Sequence, residues 1–365
     1  MPRNGIEPLR VGLVGCGWVA EVCHLPAFGD IREAKVVAVA DMDRDRAERM
    51  ASRYGIARCY GDFRALLDDP QVEAVAVCVP SRSHFEVGMA AIDAGKHLFL
   101  EKPLTANLDE CDRLIERASG VSTKAMVGFS MRWHRLVRQA RRIITSGELD
   151  PIHSMRTVFT SDAVFHPNVP EWKKKRALGG GALIDQAIHH FDLWRFLLQT
   201  EVEQVFATSA TGQWEDETAS VAARMANGVI VSSMFSAASS NDNEVEVCGR
   251  GGRLRLSAYR FDGLEFFATS DSPGSARARL RKAALTLREL RHGIAGLRRG
   301  GEFMSAYRNM WQHYAHAIRN DAPVECPLPD ARRTLQLLLA IVESSSRGQP
   351  VAVAEASRTI TPIRL

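Results

Sequence analysis

The chain has 365 residues, enough for two domains of ordinary size, and its 45% hydrophobic and 25% charged residues are typical of a globular protein. Its net charge of +4 is small for this length and gives no reason to expect nucleic acid as a partner. No apolar run approaches the roughly 18 residues that a membrane helix requires, so we expect no membrane partner.

The start of the chain and its cysteines indicate a cytoplasmic protein. The opening residues, MPRNGIEPLR, contain no hydrophobic core of the signal-peptide type. The cysteine count of 7 is odd and no CxxC spacing occurs. We therefore expect reduced, mostly buried thiols, with neither a disulfide framework nor a metal cluster.

Strand and helix patterns alternate through the first third of the chain. Short apolar runs rich in Val and Leu predict strands at 9–15, 34–41, 72–80 and 96–102. Helices are predicted at 44–55 and 84–95, each ended by a glycine. Apolar strands that alternate with helices are typical of an α/β fold, with a doubly wound parallel sheet covered on both faces.

A glycine-rich turn, GCGWVA at 15–20, follows the first strand. Gly15 permits the tight turn, Gly17 lets a pyrophosphate approach the backbone, and the small Ala20 lets the helix pack on the strand. Backbone N–H groups at the start of the helix would face the phosphates, and the predicted loop also contains Trp18 and Val19. Because a lone GxGxxG motif is weak evidence for a dinucleotide site, a purely structural turn is the alternative.

A carboxylate at the end of the second strand favours the dinucleotide interpretation. Asp41 follows the glycines by about twenty residues, where an acid binds the ribose 2′-hydroxyl. It would repel the extra phosphate of NADP, so NAD is the expected cofactor. Arg44 and Arg46 lie near enough in sequence that NADP stays possible.

Several motifs together resemble the glucose–fructose oxidoreductase/inositol dehydrogenase (Gfo/Idh/MocA) family over nearly the whole chain. The opening VGLVGCGWVAEVCHLPAF, the segment VPSRSHFEVGMAAIDAGKHLFLEKPL and the segment GGGALIDQAIHHFDLWRFLL are similar to family motifs. GRGGRLRL and the closing ARRTLQLLLAIVESSSRGQPVAV match later family features. The chain departs from the family at Ala187, where a glycine is frequent.

The resemblance implies an NAD(P)-binding Rossmann domain at 1–129 and a substrate-binding and oligomerisation domain at 130–365. It also implies further cofactor contacts, which come from Pro80, Ser81, His84, Glu101 and Lys102. Glu101 would border the nicotinamide ribose and Lys102 would face the reacting oxygen. Pro103 ends the strand and is a candidate for a cis peptide bond.

The second domain has a different pattern. A helix is predicted at 131–147, and alternating strands at 202–211, 217–226, 229–239, 243–249 and 253–259 follow one another without helices. Asn227-Gly228 is a strong hairpin signal between two of them. These patterns predict an α+β domain with a large, mostly antiparallel open sheet. The resemblance implies that its exposed face forms a homodimer or homotetramer.

Asp185 and His189 are four residues apart and would share one face of a helix. The spacing alone suits a surface ion pair, an orienter–base pair or part of a metal site, although His190 and Asp192 complete no convergent set of three ligands. The resemblance favours the catalytic interpretation, because both residues match the family's catalytic positions.

The implied reaction interconverts a secondary alcohol and a ketone, with hydride transfer at the nicotinamide. His189 would act as general base or acid and Lys102 would stabilise the developing alkoxide, with Asp185 orienting the pair. The reverse assignment of His189 and Lys102 stays open. Arg132, Trp172 and Lys173 resemble positions that border the substrate pocket, although an ordinary structural role suits each equally well.

The segment 276–300 carries eight Lys or Arg residues and one acid, Glu289. Its apolar residues fall roughly on one face, at Leu280, Leu287, Leu290, Ile294 and Leu297. A basic amphipathic helix packed on the sheet or on another subunit is the first interpretation. Its arginines could also hold a phosphorylated substrate such as a nucleotide sugar. A membrane-surface role has no second anchor to support it.

The expected function is an NAD(P)-dependent dehydrogenase or reductase that acts on a sugar, a cyclitol or a nucleotide sugar. One alternative is a glycoside-cleaving enzyme that oxidises its substrate only transiently. Another is a non-catalytic NAD-binding regulator, against which the set Lys102, Asp185 and His189 argues.

Overall fold

The computed structural model describes residues 7–167, 169–271, 274–299 and 301–359. Within these, the side chains at 277, 278, 281, 291 and 295–299 are not described, so the predicted apolar position Leu297 lies outside the description. Residues 1–6, which make up most of the opening segment without a signal-peptide core, also lie outside it. The chain divides into two compact units, Met1–Ser130 with Ala306–Leu335, and Met131–Ser305 with Gln336–Leu365.

The first unit alternates strands and helices. In chain order they are β1 (Leu9–Val14), α1 (Leu25–Gly29), β2 (Ala34–Ala40), α2 (Arg44–Tyr54), β3 (Arg58–Tyr60), α3 (Phe63–Leu67), β4 (Ala74–Val77), α4 (His84–Asp93), β5 (His97–Leu100), α5 (Leu108–Ser119) and β6 (Ala125–Val127). The strands form one six-stranded sheet in the order β3-β2-β1-β4-β5-β6, and every pair is parallel. The predicted Rossmann sheet is confirmed, and its strand order reverses between β1 and β4.

Local signals determine where the helices of this unit begin and end. Asp43 caps α2, because its carboxylate accepts the backbone N–H of Arg46. Gly55 ends the same helix with φ of 65°, in the left-handed region that glycine adopts without strain. The central strands β1, β4 and β5 are mostly buried because helices cover both faces, and β4 is buried at every position.

The first unit also takes in a segment near the end of the chain, Ala306–Leu335, which the predicted boundary had assigned to the second domain. The Trp311 ring packs 4.5 Å from Phe99 on β5 and 4.4 Å from Phe28 on α1, measured between centroids. These aromatic contacts explain why the segment belongs with the parallel sheet.

The second unit is built around a larger sheet. Its elements, and the helices that close the chain, are α6 (Arg135–Thr145), β7 (Ile152–Thr160), α7 (Glu171–Lys174), α8 (Ile188–Leu198), β8 (Val202–Ala210), β9 (Thr218–Met225), β10 (Ile230–Ser236), β11 (Asp242–Gly249), β12 (Gly252–Ser257), β13 (Leu264–Ala268), α9 (Ala276–Arg299), α10 (Gly301–Arg319), α11 (Leu328–Arg347) and β14 (Val351–Ala352). The described strands form an eight-stranded sheet in the order β13-β12-β11-β7-β10-β9-β8-β14.

This sheet is mostly antiparallel, as predicted, and only the pairing of β7 with β10 is parallel among the described strands. The Asn227-Gly228 hairpin is confirmed between β9 and β10, with φ of 85° at Gly228. Exposed and buried residues alternate along β9, so one face of the sheet is covered. The helix predicted at 131–147 begins later, at Arg135, because the His134 imidazole caps the N–H of Leu136.

Two further features concern the expectations about membrane helices and cysteines. Within the described ranges, no helix is long and apolar enough to cross a membrane. All 7 cysteines are free thiols, and five of them are buried.

Candidate active site

The glycine-rich turn after β1 is formed as predicted. Gly15 has φ of 93°, and a Cβ atom there would lie 2.7 Å from the backbone carbonyl of Cys78. Its N–H donates to Ala40 O at 2.8 Å. Only glycine satisfies both the positive φ and the close approach of the chain that follows β4.

Gly17 differs from Gly15 in having open space around it. A Cβ atom at Gly17 would meet nothing within 4 Å, and its φ lies outside the left-handed region. The Glu21 N–H donates to Gly17 O, so the first helical turn begins here and continues as a π-helical turn, Ala20–His24. Trp18 is exposed, Val19 is half-buried, and Ala20 is fully buried.

Asp41 lies directly after β2, at the same edge of the sheet. Its Oδ2 accepts the Cys16 N–H at 2.8 Å and its Oδ1 accepts the Asp43 N–H at 2.9 Å. The guanidinium of Arg46 lies 3.7 Å from Oδ2. These two backbone contacts hold the carboxylate beside the glycine turn, and a cationic side chain lies near it.

The segment after β4 brings Pro80, Ser81 and His84 to the same edge. Pro80 precedes a short 3-10 turn, Ser81–Ser83, which leads into α4. The buried His84 imidazole lies 2.8 Å from Pro103 O through Nδ1 and 2.9 Å from Val79 O through Nε2. Burial lowers the pKa of His84, although both backbone contacts act to raise it. His84 thus joins the chain after β4 to the chain after β5.

Glu101, directly after β5, belongs to a buried chain of hydrogen bonds. Glu101 Oε1 lies 3.0 Å from His24 Nε2, and His24 Nδ1 accepts the Trp311 indole N–H at 3.0 Å. Because an indole can only donate, Nδ1 is the acceptor and Nε2 carries the proton donated to Glu101. Glu101 Oε2 accepts the backbone N–H of Lys102 at 3.2 Å. At 5% exposure, this carboxylate is well placed to hold the strand end, and its contact with the ribose stays a prediction.

Lys102 is half-buried and follows β5 at the carboxyl edge of the parallel sheet. The Lys102–Pro103 peptide bond is cis, as the sequence suggested. Gly15, Asp41, His84 and Lys102 therefore follow four neighbouring strands at one edge, where open parallel sheets bind their ligands.

In the second unit, three predicted residues come together. Asp185 lies in a π-helical turn, Ala182–Gln186, and its Oδ2 is 3.3 Å from Lys173 Nζ. The same ammonium lies 5.6 Å from the centroid of the Trp172 ring. Each of these residues was predicted separately, and no sequence pattern indicates that Lys173 would contact Asp185.

Two of the three glycines before this turn, Gly180 and Gly181, have a packing role. A Cβ atom at Gly180 would lie 2.3 Å from the carbonyl oxygens of Trp172 and Lys173. The Gly181 N–H donates to Lys173 O at 2.8 Å, with φ of 84° at Gly181. The glycines therefore let α7 lie directly against the turn that carries Asp185.

A buried ion pair fixes the same loop. Arg176 Nε donates to Asp216 Oδ2 at 2.8 Å, and its Nη2 donates to Asp216 Oδ1. Arg176 Nη1 also donates to Ser346 Oγ at 2.6 Å. Sequence reasoning missed this anchor, because no local pattern links positions 176 and 216.

His189 is the second residue of α8 and is half-buried, whereas its neighbour His190 is fully buried. His190 Nε2 lies 3.1 Å from Asn243 Oδ1, and its ring stacks 5.4 Å from Phe159. Burial lowers the pKa of His190 to about 4. The two adjacent histidines therefore have different environments.

Arg132, a predicted substrate contact, is buried in the second unit. Its Nε donates to Asp192 Oδ2 at 2.7 Å and its Nη2 to Asp192 Oδ1 at 2.5 Å. The guanidinium is held by this bidentate pair, and its contact with substrate stays a prediction. Within the described ranges, no three His, Cys, Asp or Glu side chains are arranged to hold a metal ion.

Two family models match the chain. The model of an oxidoreductase family with an NAD-binding Rossmann fold, GFO_IDH_MocA, matches residues 9–129. The GFO/IDH/MocA C-terminal domain model matches residues 137–255. The family resemblance of the motifs is thereby confirmed for both parts of the chain.

Curated relatives and solved structures agree with this match. The chain is 30% identical to a myo-inositol 2-dehydrogenase of Thermotoga maritima over 255 residues, which are 67% of this chain and 74% of that protein. It is 28% identical over 358 residues to an inositol 2-dehydrogenase of Rhizobium meliloti, covering 95% and 99% of the two chains. A solved levoglucosan dehydrogenase in complex with NADH and levoglucosan has the same fold, with a TM-score of 0.81 at 24% identity over 95% of this chain and 100% of that one. The chain therefore belongs to the GFO/IDH/MocA family of NAD-binding oxidoreductases.

Proposed function

We propose that this protein oxidises a secondary alcohol of a polyol to a ketone with NAD as the hydride acceptor, or carries out the reverse reduction with NADH as the hydride donor. The substrate class is a sugar, a cyclitol such as an inositol, or a nucleotide sugar. Relatives in the family include enzymes named for each class: a D-glucoside 3-dehydrogenase, two inositol dehydrogenases and a dTDP-sugar 3-reductase.

The observation that carries the proposal is the arrangement at the carboxyl edge of the parallel sheet. The glycine turn, Asp41 and Lys102 follow β1, β2 and β5 at this edge, on both sides of the point where strand order reverses. A dinucleotide bound there would extend from Asp41 toward Lys102. The nicotinamide, when bound, supplies the site that accepts or donates hydride.

The chain's own residues would manage the proton and the charge. We assign His189 as the group that removes the alcohol proton in oxidation and returns it in reduction. The Lys102 ammonium would stabilise the alkoxide that develops on the substrate oxygen. The opposite assignment exchanges only these two roles. Asp185 would orient them, and its contact with Lys173 holds the carboxylate in one direction.

NAD is the proposed cofactor in preference to NADP. Asp41 already accepts two backbone N–H groups, which fixes its carboxylate beside the glycine turn. A fixed negative charge repels the 2′-phosphate of NADP and can accept hydrogen bonds from the hydroxyls of NAD. Arg46 lies 3.7 Å from this carboxylate and offsets part of the repulsion, so a residual NADP activity is expected.

We further propose that Trp172 and Lys173 border the substrate. The indole offers a flat apolar face for a sugar ring, and the ammonium beside it can donate hydrogen bonds to hydroxyl groups. By its family resemblance we also expect the protein to form a homodimer or homotetramer.

The test incubates the protein with NAD and separately with NADP against inositols, free sugars and nucleotide sugars, and follows reduced nicotinamide. Formation of NADH with at least one free polyol, and at a higher kcat/KM than with NADP, is the expected result. Release of a free sugar from a glycoside without net NADH would instead support a glycoside-cleaving enzyme. Tight NADH binding with no turnover of any polyol, in either direction, would support a regulator.

A further inference from the structure

Helix α9, within the second unit, is held to its own unit by polar contacts along one face. The Thr286 hydroxyl donates to Asp262 Oδ2 at 2.8 Å, and Glu289 Oε2 accepts from Arg135 Nη1 at 2.6 Å. Lys282 Nζ lies 2.6 Å from a carboxylate of β13. These contacts fix which side of the helix faces inward.

The opposite side of α9 carries large aliphatic side chains that the unit does not cover. The exposed fractions are 72% for Leu280, 68% for Leu287, 42% for Leu290 and 58% for Ile294. Residues 280, 287 and 294 are spaced by seven and 290 lies three after 287, so the four side chains form one stripe. Isolated exposed apolar residues are ordinary, whereas a continuous stripe on one helix indicates a binding surface.

The charge of the helix indicates what the surface binds. Residues 276–299 contain eight Lys or Arg residues and a single acid, Glu289, which the contact with Arg135 neutralises on the inner side. Arg279 and Arg288 are exposed. A stripe of aliphatic residues on a strongly cationic helix has the chemistry of a helix that lies in the headgroup region of an anionic bilayer.

Two other occupants fit less well. A second copy of this chain would bring two helices of the same positive charge together, which opposes pairing. A coiled-coil partner usually requires a seam of three or four heptads, whereas Leu280 to Ile294 spans two. A lipid surface needs neither a long seam nor side-chain interdigitation.

We infer that α9 is a peripheral membrane-binding helix that attaches this protein to anionic lipid through the stripe Leu280, Leu287, Leu290 and Ile294 and its surrounding arginines. The inference reverses the sequence expectation of no membrane partner, because the sequence did not reveal that the stripe would face away from the unit.

The test is co-sedimentation of the full chain with vesicles of phosphatidylglycerol, compared with vesicles of phosphatidylcholine alone. Binding to the anionic vesicles at low ionic strength, at least tenfold stronger than to the neutral ones and weakened by added salt, is expected. Leu287→Glu/Ile294→Glu should reduce it at least tenfold. Arg279→Glu/Arg288→Glu should do the same, because each basic residue near such a surface contributes about fivefold in partitioning.

A matched control is Arg49→Glu/Arg142→Glu, which changes the net charge equally at exposed positions on α2 and α6. It should keep most of the binding, and circular dichroism should show all three variants folded. Equal binding to both vesicle types, no binding, or equal losses in the control variant would overturn the inference. So would a smaller oligomer for Leu287→Glu/Ile294→Glu by light scattering, since a second copy would then cover the stripe.

Discussion

Replacing Gly17 with alanine should change stability and cofactor affinity in opposite directions. Gly17 has φ outside the left-handed region and no atom within 4 Å of an added Cβ, so alanine fits the folded chain. Because alanine restricts the unfolded chain, we expect Gly17→Ala to raise the free energy of unfolding by about 0.4–1 kcal/mol. The added methyl group would occupy the space in which a pyrophosphate approaches the backbone.

The loss of affinity can be estimated from the contacts removed. Displacing one phosphate–N–H hydrogen bond costs about 1.5–3 kcal/mol, which weakens Kd by about tenfold to more than a hundredfold. Calorimetric titration with NADH measures this loss, and urea unfolding without cofactor measures stability. Gly29→Ala is the matched control, because Gly29 also has open space but lies at the end of α1. It should leave Kd unchanged.

Gly15→Ala provides the contrasting case. Its Cβ would lie 2.7 Å from the backbone of Cys78 at a φ of 93°, so the variant should lose both stability and binding. Wild-type NADH affinity in Gly17→Ala would show that the pyrophosphate does not bind at this turn. A loss of more than about 1 kcal/mol of stability in the same variant would show that the space around Gly17 is not open.

Three further predictions concern the second unit. Asp216→Ala should lower the free energy of unfolding by about 3–5 kcal/mol in urea titrations, because it leaves the buried Arg176 without its counter-charge, whereas Glu203→Ala, which removes one partner of a pair exposed on both sides, should cost about 1 kcal/mol or less. The pKa of His190 is about 4 in the folded chain, below its ordinary 6.5. The stability that the neutral imidazole contributes is therefore complete above pH 6.5, and about 3 kcal/mol of the free energy of unfolding is lost as pH falls toward 4. His190→Asn should lack this part of the acid sensitivity. If the stability of the variant depended on pH as that of the wild type does, His190 would not be the group responsible. Lys173→Ala should lower kcat/KM for the polyol about tenfold without changing the Kd of NADH, whereas the neighbouring Lys174→Ala should change neither; equal losses in both variants would argue against a specific role.

The sequence predicted what local rules determine. Buried parallel strands read as short apolar runs, and the glycine turn, the Asn227-Gly228 hairpin and the helix stop at Gly55 each depend on a few adjacent residues. Glu101 and Lys102 are recognisable in the sequence as candidate site residues because two charges follow a buried strand. From these local features the two sheets and the ligand-binding edge could be predicted.

Contacts between distant segments could not be foreseen in the same way. His24 and Trp311 are 287 positions apart, and nothing in either segment indicates that they would form one chain of hydrogen bonds with Glu101. The pair Arg176–Asp216 and the contact of Lys173 with Asp185 arise from loop packing around Gly180. The direction in which α9 presents its apolar stripe depends likewise on the residues beneath it, such as Asp262.

The most direct test of the proposed chemistry compares turnover by Lys102→Ala and His189→Ala with that of Lys35→Ala and His153→Ala, which change exposed residues on β2 and β7. The polyol is the one that gives NADH with the unchanged protein, and NADH binding is measured in parallel. We predict that kcat falls at least about a hundredfold in Lys102→Ala and His189→Ala, while the two controls keep their activity. Near-normal turnover in both Lys102→Ala and His189→Ala would contradict the assignment of the active site.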